Sequence, residues 1–450
     1  MKKVLLVYLP FCTPASPPFS LTSMNSFLKA NYSGDIDILD LNLEFHKLKF
    51  PSYQKYFQNT MQWNNYEEEV NEYFKESSKV YSENNKLVVK GENPELFEEL
   101  LKQIIDKKPD LVAFSLVYSS QAFYAYSILK ALKGTIKTVI GGPAINEKLS
   151  LIADNTLANE IELLELILNK KVETAKLDFS YLTDFKVHKL KDYFTPEPVI
   201  PIKTSNSCYY KQCVFCTHHN NAKYIEYSLD LIKKNIILSK QKYFFIIDDM
   251  VHVNRLLEFA DTVKNLKIKW ACQLRPTKEY TVEVLKKLKQ AGLEMVIWGV
   301  ESGNQRILNL MKKGTNVLDV KKVLKQSSDA GIKNVTYIMF GFPTETKEEF
   351  LDTINFLKEN TDNIDLVSTS IFGLQKESKM FGEPENFGIK NVCEEKRTVL
   401  EPKISYEIIS GLTKKEVIKL RDNYKKTLDK INKYPKGMNY FREHMLIVQQ

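Results

Sequence analysis

The sequence contains no apolar run that approaches the roughly 20 residues of a membrane-spanning helix, so we expect no membrane partner. The N-terminal apolar stretch, residues 4–9, ends at Pro10 and is too short for a signal peptide, and no small-residue cleavage site follows it. Six cysteines in 450 residues are too few for a disulfide framework, which favours a reducing compartment. These absences together predict a cytoplasmic protein.

Features of nucleic-acid binding are missing as well. No basic run interleaves arginine with aromatic residues, and no nucleic-acid-binding module is recognisable. The net charge of +8 comes from lysines that are spread along predicted helices, many of them beside glutamates. We therefore expect a solvated, lysine-rich surface and no nucleic-acid partner. A length of 450 residues is sufficient for two or three domains.

Half of the cysteines lie close together, which is the most informative feature that the chain does have. Cys208, Cys213 and Cys216 follow an apolar segment with the spacing C-x4-C-x2-C. A four-iron cluster takes four thiolate ligands, so three would leave one iron open to bind a small molecule. Structural zinc, with His218 or His219 as a fourth ligand, is an alternative, and so is chance clustering.

The first part of the chain, residues 1–170, alternates apolar strands with helices. This pattern predicts an α/β fold with a Rossmann-like, doubly wound parallel sheet. Its strands are predicted at residues 4–9, 36–41, 111–116 and 138–140. Residues 43–95 are polar and aromatic, and we expect them to be an insertion with helical pieces. Ser115, Gly141 and Gly142 fall at strand ends, where ligands bind in such sheets.

A second run of alternating strands and helices follows a linker at residues 171–194, and Pro196, Pro198 and Pro201 mark the boundary between the two parts. Six strand–helix units between residues 195 and 375 predict a partial barrel, and the cysteines follow its first strand. Its strands are predicted at residues 199–205, 243–248, 268–274, 295–300, 334–340 and 365–371. Residues 376–450 are rich in lysine, and we expect them to form a small helical C-terminal subdomain.

This arrangement resembles the radical S-adenosylmethionine (SAM) enzymes. Those enzymes place three cysteines in the loop after the first strand of a partial (β/α)6 barrel, most often as C-x3-C-x2-C, so the longer first spacer is a departure. The resemblance implies that Cys208, Cys213 and Cys216 are metal ligands with a catalytic role. They would hold a four-iron, four-sulfur (4Fe-4S) cluster, and SAM would bind at the open iron.

The resemblance also implies acidic SAM contacts at strand ends. Asp248 or Asp249, after the second barrel strand, would accept a hydrogen bond from the amino group of SAM. Glu301, followed by Ser302 and Gly303, resembles the segment whose glutamate holds the ribose hydroxyls. The alternative for the aspartates is a helix N-cap.

Two arginines and a glycine complete the implied SAM site. Arg275 or Arg306 would pair with the SAM carboxylate, because a guanidinium matches a carboxylate well. Gly341, in Gly-Phe-Pro-Thr-Glu-Thr, resembles the fifth-strand motif that packs against adenine. Surface ion pairs for the arginines, and a tight turn for Gly341, are the alternatives.

The N-terminal part resembles the cobalamin-binding domain of one large radical SAM subgroup. Small residues such as Ser115, Gly141 and Gly142 would let the corrin approach the strand ends. The chain has no Asp-x-His-x-x-Gly motif, so no histidine is positioned to ligate cobalt in the usual way. A Rossmann-like domain without this cofactor is the alternative.

The function implied by these resemblances is that of a cobalamin-dependent radical SAM enzyme. It would methylate an unactivated carbon of a peptide or natural-product substrate by way of a 5′-deoxyadenosyl radical, with electrons from a donor such as flavodoxin or ferredoxin. One alternative is a radical reaction without methylation, such as dehydrogenation, cyclisation or rearrangement. A zinc-stabilised nucleotide-binding or interaction module is an alternative of another class.

Overall fold

The structure is a computed structural model that describes residues 2–217 and 223–448. The chain divides into two compact units. The first unit runs to Ile200 and also contains the short segments Lys234–Lys240 and Lys396–Pro402. The second unit contains the remainder.

The first unit is built on a five-stranded parallel sheet with the order β2-β1-β3-β4-β5. Its strands are β1 (Val4–Tyr8), β2 (Ile36–Asp40), β3 (Leu111–Ser115), β4 (Lys137–Gly141) and β5 (Asn155–Leu157). All five residues of β1 are buried, as expected of a central strand that is covered on both faces. In a doubly wound sheet of this order, ligands bind at the carboxyl ends of the strands beside the switch point, here between β1 and β3.

Helices cover this sheet and also fill the insertion. They are α1 (Phe19–Asn31), α2 (Leu41–Lys49), α3 (Pro51–Phe57), α4 (Tyr66–Val89), α5 (Phe97–Asp106), α6 (Ala122–Leu132), α7 (Glu147–Ser150) and α8 (Glu160–Leu168). The predicted insertion is helical, and Tyr73 of α4 packs against Phe50, Tyr53 and Phe57 with ring centroids 5.3–5.5 Å apart. Aromatic packing of this kind explains the tyrosine and phenylalanine content of the segment.

The second unit contains the predicted six-stranded barrel sheet, with the order β6-β9-β10-β11-β12-β13. Its strands are β6 (Val199–Ile202), β9 (Tyr243–Ile246), β10 (Lys269–Leu274), β11 (Leu293–Glu301), β12 (Lys333–Phe340) and β13 (Leu366–Ile371). Neighbours from β9 to β13 are parallel, and the ladder between β11 and β12 is irregular at Gly299/Glu301. The α/β fold class predicted from the sequence is therefore confirmed.

Ten helices are described in the second part of the chain. They are α9 (Leu229–Ser239), α10 (Val253–Val263), α11 (Val282–Gln290), α12 (Gln305–Leu310), α13 (Val317–Asp329), α14 (Lys347–Glu359), α15 (Lys379–Gly382), α16 (Lys414–Asn423), α17 (Lys425–Ile431) and α18 (Arg442–Ile447). Short 3-10 helices occur at Thr60–Asn65, Ser119–Gln121, Thr174–Lys176, Phe185–Val187, Leu190–Asp192, Thr361–Asn363, Pro384–Phe387 and Lys436–Asn439.

Two small antiparallel sheets were not predicted. The first pairs β7 (Ser205–Asn206) with β8 (Ile225–Glu226), and the second pairs β14 (Ile389–Glu395) with β15 (Lys403–Ile408). The C-terminal region is therefore helical with an added hairpin, which the helix-only expectation missed. None of the helices in the described residues is both long and apolar enough to span a membrane.

Candidate active site

The cysteine loop, residues 203–217, follows β6 at the carboxyl edge of the barrel sheet. Ser207 and Lys211 have positive φ angles of 66° and 52°, which are uncommon outside glycine. Lys211 lies between the first two cysteines, so a left-handed residue falls inside the long spacer. The amide of Cys216 donates to the carbonyl of Cys213 at 3.3 Å, which closes a tight turn between the second and third cysteines.

The three thiols of the loop are half-buried and form no disulfide. Burial, the largest influence on Cys213, raises the pKa of its thiol, and the nearby Glu301 and Cys208 raise it further. Lys313 and Arg275 act in the opposite direction. Metal binding requires the thiolate, so these two cations favour the ligating form of Cys213.

A four-iron cluster fits this donor set. Thiolates are the usual ligands of such clusters, and each binds a different iron, so the three sulfurs need not converge on one point. Within residues 2–217 and 223–448, no three side chains of the His, Cys, Asp and Glu types are grouped so as to hold a single metal ion. His218 and His219, the fourth ligands of the zinc interpretation, lie outside the described residues.

Asp248, which follows β9, holds the start of the cysteine loop. Its buried carboxylate accepts hydrogen bonds from the Thr204 amide at 2.7 Å, the Thr204 hydroxyl at 2.6 Å and the Ser205 hydroxyl at 2.7 Å. Burial raises its pKa, and the three hydrogen bonds oppose that shift. The structure thus gives Asp248 partners within the protein, and Asp249 is half-buried at the same strand end.

Glu301 closes β11 and makes a buried ion pair that the sequence did not indicate. Its Oε1 accepts a hydrogen bond from Nζ of Lys313 at 2.8 Å, and the two side chains are only 12% and 6% exposed. Burial lowers the pKa of Lys313, but Glu301 and Cys213 raise it, and the net direction is upward. Lys313 is therefore charged and belongs to the same cluster of groups as Cys213.

Arg275, at the end of β10, is also buried beside the cysteine loop. Its guanidinium carbon lies 3.5 Å from the ring centroid of Tyr210, and its Nη2 donates to the Tyr209 hydroxyl at 3.3 Å. Its Nη1 donates to the carbonyl of Lys313 at 3.1 Å, and its buried Nε has no hydrogen-bond partner among the residues that the structure describes. Across the described residues, no carboxylate forms an ion pair with this arginine.

Two other predicted SAM contacts have partners of their own. Arg306 is half-exposed and forms a two-pronged ion pair with Glu349. The buried hydroxyl of Ser302 lies 3.1 Å from that of Thr353, on α14. The Arg306 contact matches the surface ion pair that was the alternative for this arginine.

Gly341 lies in a turn that Glu345 closes. The Gly341 amide donates to Oε2 of Glu345 at 2.6 Å, and burial raises the pKa of that carboxyl to about 7. Gly341 has a φ of 76°, and a Cβ at this position would lie 2.9 Å from a methyl carbon of Val417, on α16. Turn geometry and close packing therefore both require glycine here.

A separate cavity of about 200 Å³ lies within the first unit. It contains the three small residues singled out in the sequence, Ser115, Gly141 and Gly142. Its remaining lining is mostly apolar and comes from α1, β1, β3, β4, β5 and α8, including Leu6, Leu21, Met24, Val139, Leu157 and Leu163. The Ser115 hydroxyl lies 2.8 Å from that of Ser20, so this polar pair lies in a mostly apolar wall that Asn159 and Glu160 also line.

Comparison with protein families identifies the second unit. Residues 202–357 match the radical SAM superfamily. The chain therefore contains a radical SAM domain, and this family implies a 4Fe-4S cluster and SAM as cofactors. The family resemblance read from the sequence is confirmed.

Curated relatives are similar over limited segments. An uncharacterised methyltransferase of Pyrococcus horikoshii is 26% identical over 168 residues, which are 35% of this chain and 36% of the relative. A putative methylthiotransferase of Methanocaldococcus jannaschii is 36% identical over 75 residues, or 17% of each chain. The match thus spans about a third or less of the length of these relatives.

Solved structures are similar over most of the chain. OxsB, a cobalamin-dependent SAM radical enzyme, superposes with a TM-score of 0.56 and 16% identity, over 86% of this chain and 56% of its own. The radical SAM methyltransferase TsrM from Kitasatospora setae superposes with a TM-score of 0.59 and 13% identity, over 89% of this chain and 80% of its own. At these identities the likeness concerns the fold.

Lys313 is the site residue that sequence reasoning missed. It stands in Met-Lys-Lys-Gly-Thr, in a chain with many lysines, and resembles a surface residue. The signal for this lysine in the sequence was only indirect. A glutamate at a strand end beside small residues needs a cation once it is buried, so a nearby lysine or arginine was to be expected.

Proposed function

We propose that this chain is a cobalamin-dependent radical SAM methyltransferase that modifies an unactivated carbon of a peptide or natural-product substrate. The observation that carries the proposal is the cavity at the strand ends of the first unit, in a chain whose second unit is a radical SAM domain. The fold likeness to OxsB and TsrM supports it, since both are radical SAM enzymes whose structures have been solved with cobalamin bound.

The cysteine loop would hold the cluster. When bound there, a 4Fe-4S cluster would supply the chemistry of reductive SAM cleavage. Cys208, Cys213 and Cys216 provide thiolates, and Asp248 keeps the start of the loop in place. Glu301, held by Lys313, presents a carboxylate oxygen where ribose hydroxyls could donate to it.

Arg275 is the better of the two arginines for the SAM carboxylate. It is buried without an ion-pair partner in the described chain, whereas Arg306 is already paired with Glu349. A buried guanidinium is stabilised when a bound ligand supplies the missing negative charge. We therefore propose that Arg275, and not Arg306, binds the SAM carboxylate.

The cavity of the first unit would accept the apolar part of the cobalamin molecule. Gly142 has a φ of 116°, and a Cβ there would lie 2.3 Å from the Leu116 carbonyl oxygen, so only glycine keeps this wall in place. The Ser20–Ser115 pair supplies polar atoms at the same wall. His46 and His188 are bonded to Asn42 and to Thr22, respectively, and neither lines the cavity. This fits a corrin held without a histidine on cobalt.

The test is oxygen-free reconstitution of the full chain with iron, sulfide and hydroxocobalamin. We expect one corrin per chain in the optical spectrum, and deoxyadenosine from SAM when flavodoxin or ferredoxin supplies electrons. Ser115→Leu should block corrin uptake by filling the cavity, without changing iron and sulfide content. Ser119→Leu makes the same change at an exposed position outside the cavity and should bind corrin normally. A wild-type chain that takes up the cluster and no corrin would contradict the proposal.

Methylthio transfer is a second candidate, because the Methanocaldococcus jannaschii relative bears that description. The product distinguishes the two reactions, since its mass rises by one methyl group in the first and by one methylthio group in the second.

A further inference from the structure

Three consecutive carbonyl groups after α12 accept hydrogen bonds from groups at the cluster end of the barrel. The pairs are Val214 amide to Met311 carbonyl at 3.2 Å, Tyr210 hydroxyl to Lys312 carbonyl at 2.8 Å and Arg275 Nη1 to Lys313 carbonyl at 3.1 Å. We call residues 311–313 the carbonyl platform. Two of the three donors belong to the cysteine loop, so the backbone of the platform and the thiolates are held together.

The last residue of the carbonyl platform also has a side chain with a second attachment. Nζ of Lys313 donates to Oε1 of Glu301 at 2.8 Å, and both side chains are buried. The neighbouring Gly299 leaves room for this pair, since a Cβ there would lie 2.8 Å from Nζ and 2.9 Å from Oε1. The absence of a side chain at Gly299 thus leaves the space that the ion pair occupies.

Glu301 requires such an anchor because its backbone leaves the regular strand. Its φ is 67°, and the ladder between β11 and β12 shifts register at Gly299/Glu301. The direction of its side chain is therefore not fixed by pairing along the sheet, and Lys313 supplies the fixed contact.

We infer that Lys313 is a positioning residue, whose ammonium holds the Glu301 carboxylate and whose backbone continues the carbonyl platform that bonds to the cysteine loop. The carbonyl platform and the Lys313 side chain then link the cluster ligands to the carboxylate that receives SAM. The inference deepens the proposed function and rests on it in one respect, the use of Glu301 in SAM binding.

The experiment compares Lys313→Met, Glu301→Gln and the double variant with the wild-type chain after oxygen-free reconstitution. The readouts are iron and sulfide content per chain and the dissociation constant of SAM, measured by equilibrium dialysis. The double variant removes both buried charges at once, so it remains informative if the unpaired carboxylate of Lys313→Met hinders folding. Lys322→Met, at an exposed position on α13, is the matched control for loss of one positive charge.

We expect Lys313→Met and Glu301→Gln each to weaken SAM binding at least tenfold, with iron and sulfide contents close to those of the wild type. The double variant should bind SAM with no lower affinity than whichever single variant binds it less tightly, because both substitutions remove the same interaction. Losses that add in the double variant would show that Lys313 contacts SAM by itself, and would overturn the inference. Wild-type affinity in Lys313→Met would overturn it too and leave the proposed function standing, whereas a wild-type chain without cluster or SAM binding would refute both.

Discussion

Replacing Asp248 by alanine should destabilise the second unit by about 3–5 kcal/mol. Three hydrogen bonds of 2.6–2.7 Å from Thr204 and Ser205 end on its carboxylate. A hydrogen bond to a charged group contributes roughly 1.5–3 kcal/mol. The total should be smaller than the sum of three, because burying a carboxylate is itself unfavourable and the two hydroxyls can turn to other acceptors.

Chemical denaturation of the protein without cofactors measures this effect. Asp248→Asn keeps the shape and one acceptor oxygen, so we expect it to cost less, about 1–2 kcal/mol. Asp230→Ala, at an exposed position on α9, should stay within about 1 kcal/mol of the wild type. Equal stability of Asp248→Ala and Asp230→Ala would refute the reasoning.

The same substitution also tests the link between this carboxylate and the metal ligands. Thr204 and Ser205 lie only a few residues before Cys208, so their release should loosen the cysteine loop. We expect Asp248→Ala to retain less iron after reconstitution than Asp248→Asn at a temperature where both are folded. Equal iron retention would separate the stability effect from the cluster.

Two further predictions concern the first unit. Gly142→Ala should lower its stability by about 1–3 kcal/mol and reduce corrin uptake, because the new Cβ would meet a carbonyl oxygen at 2.3 Å and a φ of 116° is strained. Gly141→Ala is the control for stability, since its Cβ would make an ordinary 3.6 Å contact, and equal destabilisation by the two substitutions would contradict the account. Burial lowers the pKa of His46 to about 4, so the unfolded chain binds a proton near pH 6.5 while the folded chain does not, and stability is lost as pH falls from 6.5 to 4. His46→Gln should therefore reduce the loss of unfolding free energy between pH 7 and pH 5 by about 2 kcal/mol in denaturation experiments, and an unchanged loss would disprove the assignment.

All strands of the two large sheets except the short β5 (Asn155–Leu157) could be predicted, because most of them are largely apolar. A strand buried on both faces leaves a continuous run of large apolar residues, as in Val4–Tyr8, and the helices between such runs impose parallel order. The hairpin of β14 and β15 was missed for the opposite reason. Most residues of β14 are exposed and polar, so the strand leaves no periodic signal.

The partners of the site residues could not be predicted, because they come from distant parts of the chain. Asp248 was identified as a strand-end carboxylate, but its bonds to Thr204 and Ser205 cross 43–44 residues of sequence. Lys313 reaches back to Glu301 over a loop and a short helix. Spacing along the sequence indicates which strand end a residue occupies, whereas the contacts at that end depend on the packing of neighbouring loops.

The charged side chains at this edge of the barrel differ in whether they have a charged or hydrogen-bonding partner within the protein. Among them, Arg275 is a buried cation without an ion-pair partner in the described residues. Asp248, Glu301 and Arg306 each have an internal partner, so their geometry is fixed before any ligand binds. Arg275 contacts aromatic rings and one carbonyl and, in the described residues, forms no ion pair with a carboxylate. Because an uncompensated buried charge is costly, it persists where a ligand restores the balance. A carboxylate-bearing molecule such as SAM would do so, and the proposed role of Arg275 in binding the SAM carboxylate depends on this unpaired charge.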